Sequence, residues 1–231
     1  MSGERRVAAL IPAYQAAPTV ADIALRARAQ LAEILVVDDG STDGTGDAAR
    51  AAGIETLTLP RNMGKGTALK TGFKVLFDRG CEAVVTVDAD GQHLPEEIPV
   101  LLRAFETDPA DLVLGTRDSL FAQMSRLRRC SNRASSWAIS RVAGERLADV
   151  QTGFRLYARR LIEATGFPAG RFEAESAIIV RAVRGGFRVT AVPVRLGFAD
   201  GRVTSHYRPL VDSLRIARAV ARARLCRWPW S

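Results

Sequence analysis

The sequence contains little cysteine and histidine, with three Cys and two His among its 231 residues. Cys81, Cys130 and Cys226 are far apart along the chain and have none of the paired spacings of a zinc site. Three cysteines are also too few for a disulfide framework, which favours a protein of a reducing compartment. A disulfide scaffold and a zinc finger are therefore disfavoured.

Long apolar runs are also missing, because no stretch approaches the roughly 18–20 residues that span a bilayer. Residues 7–12 are apolar and follow three charged residues, as the core of a signal peptide does. This stretch is too short for that role and continues directly into Tyr14 and Gln15, which is typical of a first strand. We therefore expect a cytoplasmic protein that contacts the inner face of the membrane only peripherally.

Acidic residues are outnumbered, with 25 Asp and Glu against 33 Lys and Arg, a net charge of +8. Such an excess indicates an anionic partner: phosphates, nucleic acid or an acidic membrane surface. Aromatic residues make up only 6% of the chain, do not alternate with the basic stripes and form no known RNA-binding signature. Nucleic acid is therefore the least favoured of these partners.

Short apolar runs alternate with helical patterns in the first half of the chain. The predicted strands are 7–12, 33–39, 54–59, 83–88 and 111–115, and the predicted helices are 20–31, 45–52, 66–77 and 96–107. Continuous rather than alternating apolar runs predict a sheet that is covered on both faces. Strands that alternate with helices predict parallel pairing through right-handed crossovers, so residues 1–117 form a doubly wound α/β unit.

The second half has a different, more basic character. We predict strands at 153–157 and 187–194 and helices at 159–165 and 173–184. Residues 119–142 and 209–225 read as basic amphipathic helices, and the second is followed by Trp228 and Trp230. Such helices suit the headgroup region of an anionic leaflet, and the alternative is an apolar stripe packed on the protein with solvated arginines.

The most informative motif follows the fourth predicted strand, where Asp88, Ala89 and Asp90 precede Gly91 and Gln92. Carboxylate oxygens suit Mg²⁺ or Mn²⁺, which takes its remaining ligands from water and substrate phosphates. The alternative is a solvated turn in which Asp and Gly serve the backbone alone. In doubly wound sheets, ligands bind beyond the carboxyl ends of the strands, which favours the metal site.

Two other segments point to the same edge of the sheet. Asp39 ends the second predicted strand, and capping of the next helix does not explain two consecutive aspartates there. The glycine-rich loop 61–67 precedes a helix, so Lys65 either lies beside phosphate or belongs to an ordinary helix start. The first strand ends without a G-x-G-x-x-G pattern, which argues against a dinucleotide cofactor.

Together these segments resemble the family 2 glycosyltransferases of GT-A fold, and most closely the dolichyl- or polyprenyl-phosphate sugar synthases. The resemblance rests on residues 12–14, 37–43, 62–66, 88–92, 114–117, 149–157 and 192–194. It covers about 7–208 and implies a mixed, mostly parallel sheet flanked by helices. Residues 1–117 would form the nucleotide-sugar-binding half and 118–208 the acceptor-binding half of one domain. A C-terminal amphipathic helix and tail would occupy 209–231.

The resemblance also implies roles for individual residues. Pro12 and Tyr14 would line the pocket of the base, and Asp39 would hold the base or the ribose. The metal and diphosphate would lie against Asp88, Ala89, Asp90 and Gln92. Arg117 would face a phosphate, and Arg202 and His206 would lie in a loop that closes over the diphosphate.

Two departures from the family pattern concern the donor site. Gln15-Ala16 stands where the family often has Asn-Glu, which leaves the donor as either a GDP- or a UDP-linked sugar. Ser205-His206-Tyr207 stands where the synthases usually carry Ser-Lys-Leu. His206 therefore either completes the metal site or touches phosphate or solvent as a loop residue.

The predicted function is metal-dependent transfer of a sugar, with inversion, from a nucleotide sugar to a lipid-linked acceptor. A polyprenyl phosphate acceptor is already anionic, whereas a lipid hydroxyl needs a base, for which Glu175, Glu173 and Asp149 are candidates. A membrane protein is a possible further partner. The alternatives are a sugar-nucleotide nucleotidyltransferase and a non-catalytic module that binds membranes.

Overall fold

The computed structural model describes residues 5–107, 110–116, 136, 140–141, 150, 152–171 and 173–197. The predicted helix at 209–225 and most of the basic stretch at 119–142 lie outside the described residues. The strands are β1 Val7–Ala13, β2 Glu33–Asp38, β3 Glu55–Thr58, β4 Ala83–Thr86, β5 Leu112–Thr116, β6 Arg155–Ala158 and β7 Val189–Pro193. Each lies within a few residues of its predicted position.

The seven strands form one sheet in the order β3-β2-β1-β4-β6-β5-β7. The strands from β1 to β4 pair in parallel, as predicted, and β7 pairs in parallel with β5. β6 is antiparallel to both of its neighbours, β4 and β5. The sheet is therefore mixed and mostly parallel, and a strand from the second half of the chain separates β4 from β5.

The helices connect these strands and cover both faces of the sheet. They are α1 Val20–Arg28, α2 Thr45–Ala51, α3 Lys65–Asp78, α4 Ile98–Thr107, α5 Arg159–Thr165 and α6 Glu173–Arg184, with a 3-10 turn at Pro95–Glu97 before α4. None of the helices within the described residues is long and apolar enough to cross a bilayer.

Successive residues of β1 pack on opposite faces, which explains the continuous apolar run. Leu10 belongs to the core layer that contains Phe73 of α3 and Ile178 of α6. Ile11 belongs to the layer that contains Ile23 of α1 and Leu101 of α4. Both faces of the sheet are thus buried, as the sequence pattern predicts.

The fourth strand is two residues shorter than predicted. β4 ends at Thr86, whose hydroxyl donates to the Gly153 carbonyl at 2.8 Å in the segment before β6. The Val87 N–H still donates to the Leu10 carbonyl of β1 at 3.1 Å, and residues 88–92 then leave the sheet and turn at Gly91, which has φ 76°. The two aspartates of the motif consequently stand beyond the end of the strand.

Candidate active site

The carboxyl ends of β1, β2 and β4 meet at one edge of the sheet. β1 lies between the other two, with Ala13 opposite Asp38 and Leu10 opposite Thr86. The polar segments that follow these strands, which begin at Tyr14, Asp39 and Asp88, are therefore neighbours. The parallel order predicts this convergence, because parallel strands deliver their carboxyl ends to the same edge.

The loop after β1 is fastened to the loop after β2. The backbone N–H of Gln15, a residue with φ 51°, donates to the Ser41 hydroxyl at 3.0 Å. The Gln15 side-chain oxygen accepts from the Thr42 N–H at 2.8 Å. Next to these two hydrogen bonds, Pro12 is buried and Tyr14 is 36% exposed. An accessible ring at this edge is compatible with the predicted contact to a base.

Asp39 holds the loop that precedes α3. Its carboxylate accepts from the Met63 N–H at 2.7 Å and from the Gly64 N–H at 2.8 Å. Burial raises the pKa of Asp39 above its ordinary value, although both backbone hydrogen bonds oppose the shift. Each oxygen thus already has a backbone donor, so a ribose or base would share the remaining acceptor capacity.

Lys65, the first residue of α3, lies between two carboxylates. Its ammonium nitrogen is 2.6 Å from Oδ1 of Asp88 and 2.9 Å from Oε2 of Glu175. Burial alone would lower the pKa of Lys65, but the two carboxylates outweigh it and raise the pKa above the ordinary range. The residue is therefore a buried cation, and the predicted phosphate contact stays a prediction.

The two motif aspartates have different surroundings. The Asp88 side chain is 23% exposed and lies against Gly153, where an added Cβ would be 2.1 Å from Oδ2 of Asp88. Asp90 is half-buried, and one of its carboxylate oxygens accepts from the Gln92 N–H at 2.9 Å. The Ala89 carbonyl between them accepts from the Thr19 hydroxyl at 2.5 Å. These contacts fix the backbone of the motif and set the direction of both carboxylates.

The donor set at this position fits Mg²⁺ or Mn²⁺. Within the described residues, no three Asp, Glu, His or Cys side chains form a metal-binding group of their own. Mg²⁺ characteristically needs only one or two protein carboxylates, because water and substrate phosphates supply its other ligands. Asp88 and Asp90 offer the hard oxygen ligands that such an ion prefers, and Gln92 follows Asp90 by two residues.

Glu175 is positioned by a buried arginine. The Glu175 residue is 6% exposed, and its Oε1 atom has no hydrogen-bond partner among the residues that the structure describes. Arg155, which is fully buried, donates to the Glu175 carbonyl at 2.6 Å and to the Thr152 carbonyl at 2.7 Å. Beside them, burial raises the pKa of Tyr157 to about 12, so this phenol stays neutral.

Sequence reasoning missed several of these supporting residues. Arg155 and Gly153 occur in the stretch 149–157, which carries part of the family resemblance, but no role was predicted for either. Glu175 pairs with Lys65, a partner that no local pattern indicates. His93, which follows the motif, is buried and stacks on Phe154 with ring centroids 5.5 Å apart. Arg117, Arg202, His206 and Asp149 lie outside the described residues.

The arrangement provides two kinds of chemistry side by side. Asp88 and Asp90 can hold a divalent cation, while the loop around Gly64 presents a helix start and a buried ammonium group. Carboxylates that can hold a divalent cation, at the carboxyl ends of parallel strands where ligands bind, suit a substrate with a diphosphate. Asp39 and Tyr14 border the same edge, where the rest of a nucleotide would extend.

The chain is similar to a protein family and to several proteins of known name. The model of the family described as glycosyl transferase family 2 matches residues 8–166. The chain is 34% identical over 203 residues to undecaprenyl-phosphate mannosyltransferase of Micrococcus luteus, with 82% of each protein covered. It is 33% identical over 172 residues to undecaprenyl-phosphate 4-deoxy-4-formamido-L-arabinose transferase of Serratia proteamaculans. That alignment covers 69% of this chain and 51% of the relative.

Solved structures share the fold. Glucosyl-3-phosphoglycerate synthase of Mycobacterium tuberculosis in complex with uridine diphosphate superimposes with a TM-score of 0.74 at 20% identity, over 95% of this chain and 80% of that chain. The same enzyme with Mn²⁺, UDP-glucose and phosphoglyceric acid gives a TM-score of 0.73 at 19% identity, with equal coverage. This likeness confirms the predicted GT-A-type fold.

Proposed function

Because this chain belongs to glycosyl transferase family 2, we propose that it transfers a sugar from a nucleoside-diphosphate sugar to a polyprenyl phosphate at a membrane surface. The observation that carries the proposal is the convergence of Asp39, Lys65, Asp88 and Asp90 at one edge of the sheet. The names of the relatives, which are undecaprenyl-phosphate sugar transferases, support the acceptor class.

The donor would lie across the carboxyl ends of β1, β2 and β4. Tyr14 and Asp39 would face its nucleoside, and Asp88 and Asp90, with Gln92, would hold Mg²⁺ or Mn²⁺ against its diphosphate. A divalent ion there supplies Lewis-acid neutralisation of the charge on the leaving diphosphate. The protein orients both carboxylates: the Gln92 N–H donates to Asp90, and the Lys65 ammonium pairs with Asp88.

A phosphate acceptor makes a protein base unnecessary. An acceptor phosphate is already an anion at neutral pH, so its oxygen attacks the anomeric carbon without losing a proton, with inversion in a single displacement. Glu175, the candidate base for a hydroxyl acceptor, is buried and forms an ion pair with Lys65. Its surroundings therefore suit a structural carboxylate better than a proton acceptor.

Charge favours association with the membrane that contains the acceptor. The chain carries a net charge of +8, and basic segments are attracted to anionic lipids by about 1 kcal/mol per Lys or Arg near the surface. Peripheral contact at a cytoplasmic membrane face would bring the lipid phosphate to the site while the nucleotide sugar arrives from solution. This attraction should weaken as salt concentration rises.

The test is a transfer assay on anionic vesicles that contain a polyprenyl phosphate. UDP- and GDP-linked sugars are supplied one at a time with Mn²⁺, and the glycolipid and the released nucleotide are measured. We expect a lipid-linked sugar and a nucleoside diphosphate with one donor. Asp90→Asn should lower the rate by about 100-fold or more, because even the outer partners of metal ligands contribute 10–100-fold.

Asp78→Asn is the matched control, since Asp78 is an exposed aspartate at the far end of α3, paired with Lys74. The same change of charge there should leave the rate unaltered. Conversion of the nucleotide sugar and added pyrophosphate into a nucleoside triphosphate and a sugar 1-phosphate, with no glycolipid formed, would indicate a nucleotidyltransferase. Vesicle binding without nucleotide binding would indicate a membrane module, and either result would contradict the proposal.

A further inference from the structure

Lys65 begins α3, where a positive side chain is unfavourable for the helix. The amino end of a helix carries the positive end of its dipole, so acidic residues are the ones that stabilise it. The first turn of α3 contains no acidic residue, and Gly64 before it provides no side-chain cap. Helix stability therefore does not account for a lysine here, and the reason lies in the contacts of its ammonium.

Those contacts join three distant parts of the chain. The Lys65 ammonium is 2.6 Å from Asp88, beyond the end of β4, and 2.9 Å from Glu175, in the first turn of α6. Only 15% of the Lys65 side chain and 8% of the Glu175 side chain are exposed. Charge-assisted hydrogen bonds with so little solvent around them are weakly screened, so each partner constrains the other.

The Asp88 carboxylate is held from two sides. Lys65 binds its Oδ1 atom, and Gly153 lies so close to Oδ2 that no Cβ fits there. The backbone of Lys65 is fixed as well, because Asp39 accepts from the Gly64 N–H and an added Cβ at Gly66 would be 2.5 Å from Ala174. The ammonium therefore has little freedom to leave Asp88, and the carboxylate has little freedom to rotate.

We propose that Lys65 is a positioning residue that fixes the Asp88 carboxylate for the donor diphosphate and joins it to Glu175 on α6. This inference deepens the proposed function and rests on it. In this role Lys65 acts through Asp88, whereas a lysine that binds the donor directly acts on phosphate whatever occupies position 88. The two roles differ in how the effects of substitutions at the two positions combine.

The test is a double-mutant cycle of Lys65→Met, Asp88→Asn and the double variant. Calorimetry measures the binding of UDP and of GDP in the presence of Mn²⁺, and transfer kinetics separate kcat from the KM of the donor. We expect each single variant to bind the nucleotide about tenfold more weakly or worse, as for other residues that orient a metal ligand. The double variant should bind no more weakly than the worse single variant.

Lys74→Met is the matched control, because Lys74 lies on the same helix with its side chain 76% exposed. It should bind nucleotide as the wild type does. The inference would be overturned if the loss of nucleotide affinity in the double variant equalled the product of the two single losses. It would also be overturned if Lys65→Met bound the nucleotide as the wild type does. Thermal unfolding of each variant identifies any that fails to fold.

Lys65→Arg gives an independent answer, also if Lys65→Met does not fold. Arginine binds phosphate at least as well as lysine, but its planar head does not fit between two carboxylates so close to the ammonium. We expect Lys65→Arg to bind the nucleotide as weakly as Lys65→Met does, and wild-type affinity in this variant would overturn the inference. A wild type that binds neither UDP nor GDP would overturn the proposed function and this inference together, whereas multiplying losses would overturn the inference alone.

Discussion

Individual side chains in this protein are placed by partners far away in the sequence. Cys81, for example, is fully buried at the start of the segment that leads into β4. Its thiol donates to the carboxylate of Glu33, at the start of β2, at 3.5 Å. Arg6 and Arg79 pair with the same glutamate at 2.8 and 3.6 Å. Burial, reinforced by Glu33, raises the pKa of the Cys81 thiol to about 11.

This environment predicts an unreactive thiol. In a variant with Cys130→Ser and Cys226→Ser, Cys81 should react with a disulfide reagent at pH 8 at least about 100-fold more slowly in the folded protein than in guanidinium. The thiolate is the nucleophile, and raising the pKa from 9.0 to about 11 lowers the thiolate fraction at pH 8 by about 100-fold. Burial of the sulfur slows the reaction further. Absorbance of the released thiol measures the rate, and rapid reaction in the native protein would contradict the buried position of Cys81.

The raised pKa of Cys81 also makes the stability of the protein depend on pH. The unfolded chain releases the Cys81 proton at a lower pH than the folded protein does. The contribution of this thiol to stability is therefore complete below about pH 9 and is lost as the pH rises towards 11.

At the scale of an element, α3 depends on tertiary contacts at its amino end. Gly64 has φ 96° and ψ 149°, a conformation that is close to exclusive to glycine. A Cβ at Gly64 would lie 2.6 Å from the Gly170 carbonyl oxygen, which also accepts from the Thr67 N–H at 3.3 Å. The start of the helix is thus fitted against the segment before α6, and Lys65 enters the site from this junction.

Gly64→Ala and Gly80→Ala form a matched pair at the two ends of α3. Both glycines have positive φ, 96° and 90°, but nothing lies within 4 Å of a Cβ at Gly80. We expect Gly80→Ala to cost about 1 kcal/mol of unfolding free energy, from the backbone alone. Gly64→Ala should cost about 3 kcal/mol or more, because the backbone of Gly170 must also move.

Thermal unfolding measures the difference. In a protein of this size, each kcal/mol lowers the Tm by about 2–4 °C, so the two variants should be well separated. Equal Tm values for the two variants would mean that the Gly64–Gly170 contact is not close in solution. Nucleotide binding should fall in Gly64→Ala and stay unchanged in Gly80→Ala.

At the scale of the whole molecule, the sheet interleaves the two halves of the chain. β6 comes from the second half and lies between β4 and β5 of the first half. The Thr86 hydroxyl, at the end of β4, donates to the Gly153 carbonyl just before β6. The edge of the site that contains Asp88 is therefore completed by residues of the second half.

This topology predicts that residues 1–117 do not fold alone. The fragment lacks β6 and β7, so the apolar strand β5 has no neighbour in the sheet and β4 exposes one edge. Much of the apolar surface that the full chain buries on both faces of the sheet would then be exposed. Circular dichroism of the fragment should show no cooperative thermal transition, whereas the full chain should show one. A cooperative transition in the fragment would mean that residues 1–117 form an independent domain.

The sequence was most informative where local patterns decide the structure. Continuous apolar runs locate β1, β2 and β4, and the parallel order then brings Asp39 and Asp88 together. The position of β6 was not predictable, because pairing with β4 and β5 is a non-local choice that the short stretch Arg155–Ala158 does not encode. The partners of Lys65 were missed for the same reason, since Glu175 is distant in sequence and meets it only after α3 and α6 pack.

The antiparallel pairing of β5 with β6 has a consequence for how the protein can diversify. Leu114 and Arg155 are paired neighbours, so the chain between the two strands leaves the sheet and returns to it at nearly the same place. The entropy of closing such a loop grows only with the logarithm of its length, by about 0.6 kcal/mol per doubling. Changes of length in the part of this connection before Val150 therefore cost the sheet little, whereas Thr152 and Gly153, which contact Arg155 and Asp88, must keep their places. Evolution can therefore vary the length of this connection while the edge of the sheet that precedes Asp39 and Asp88 stays the same.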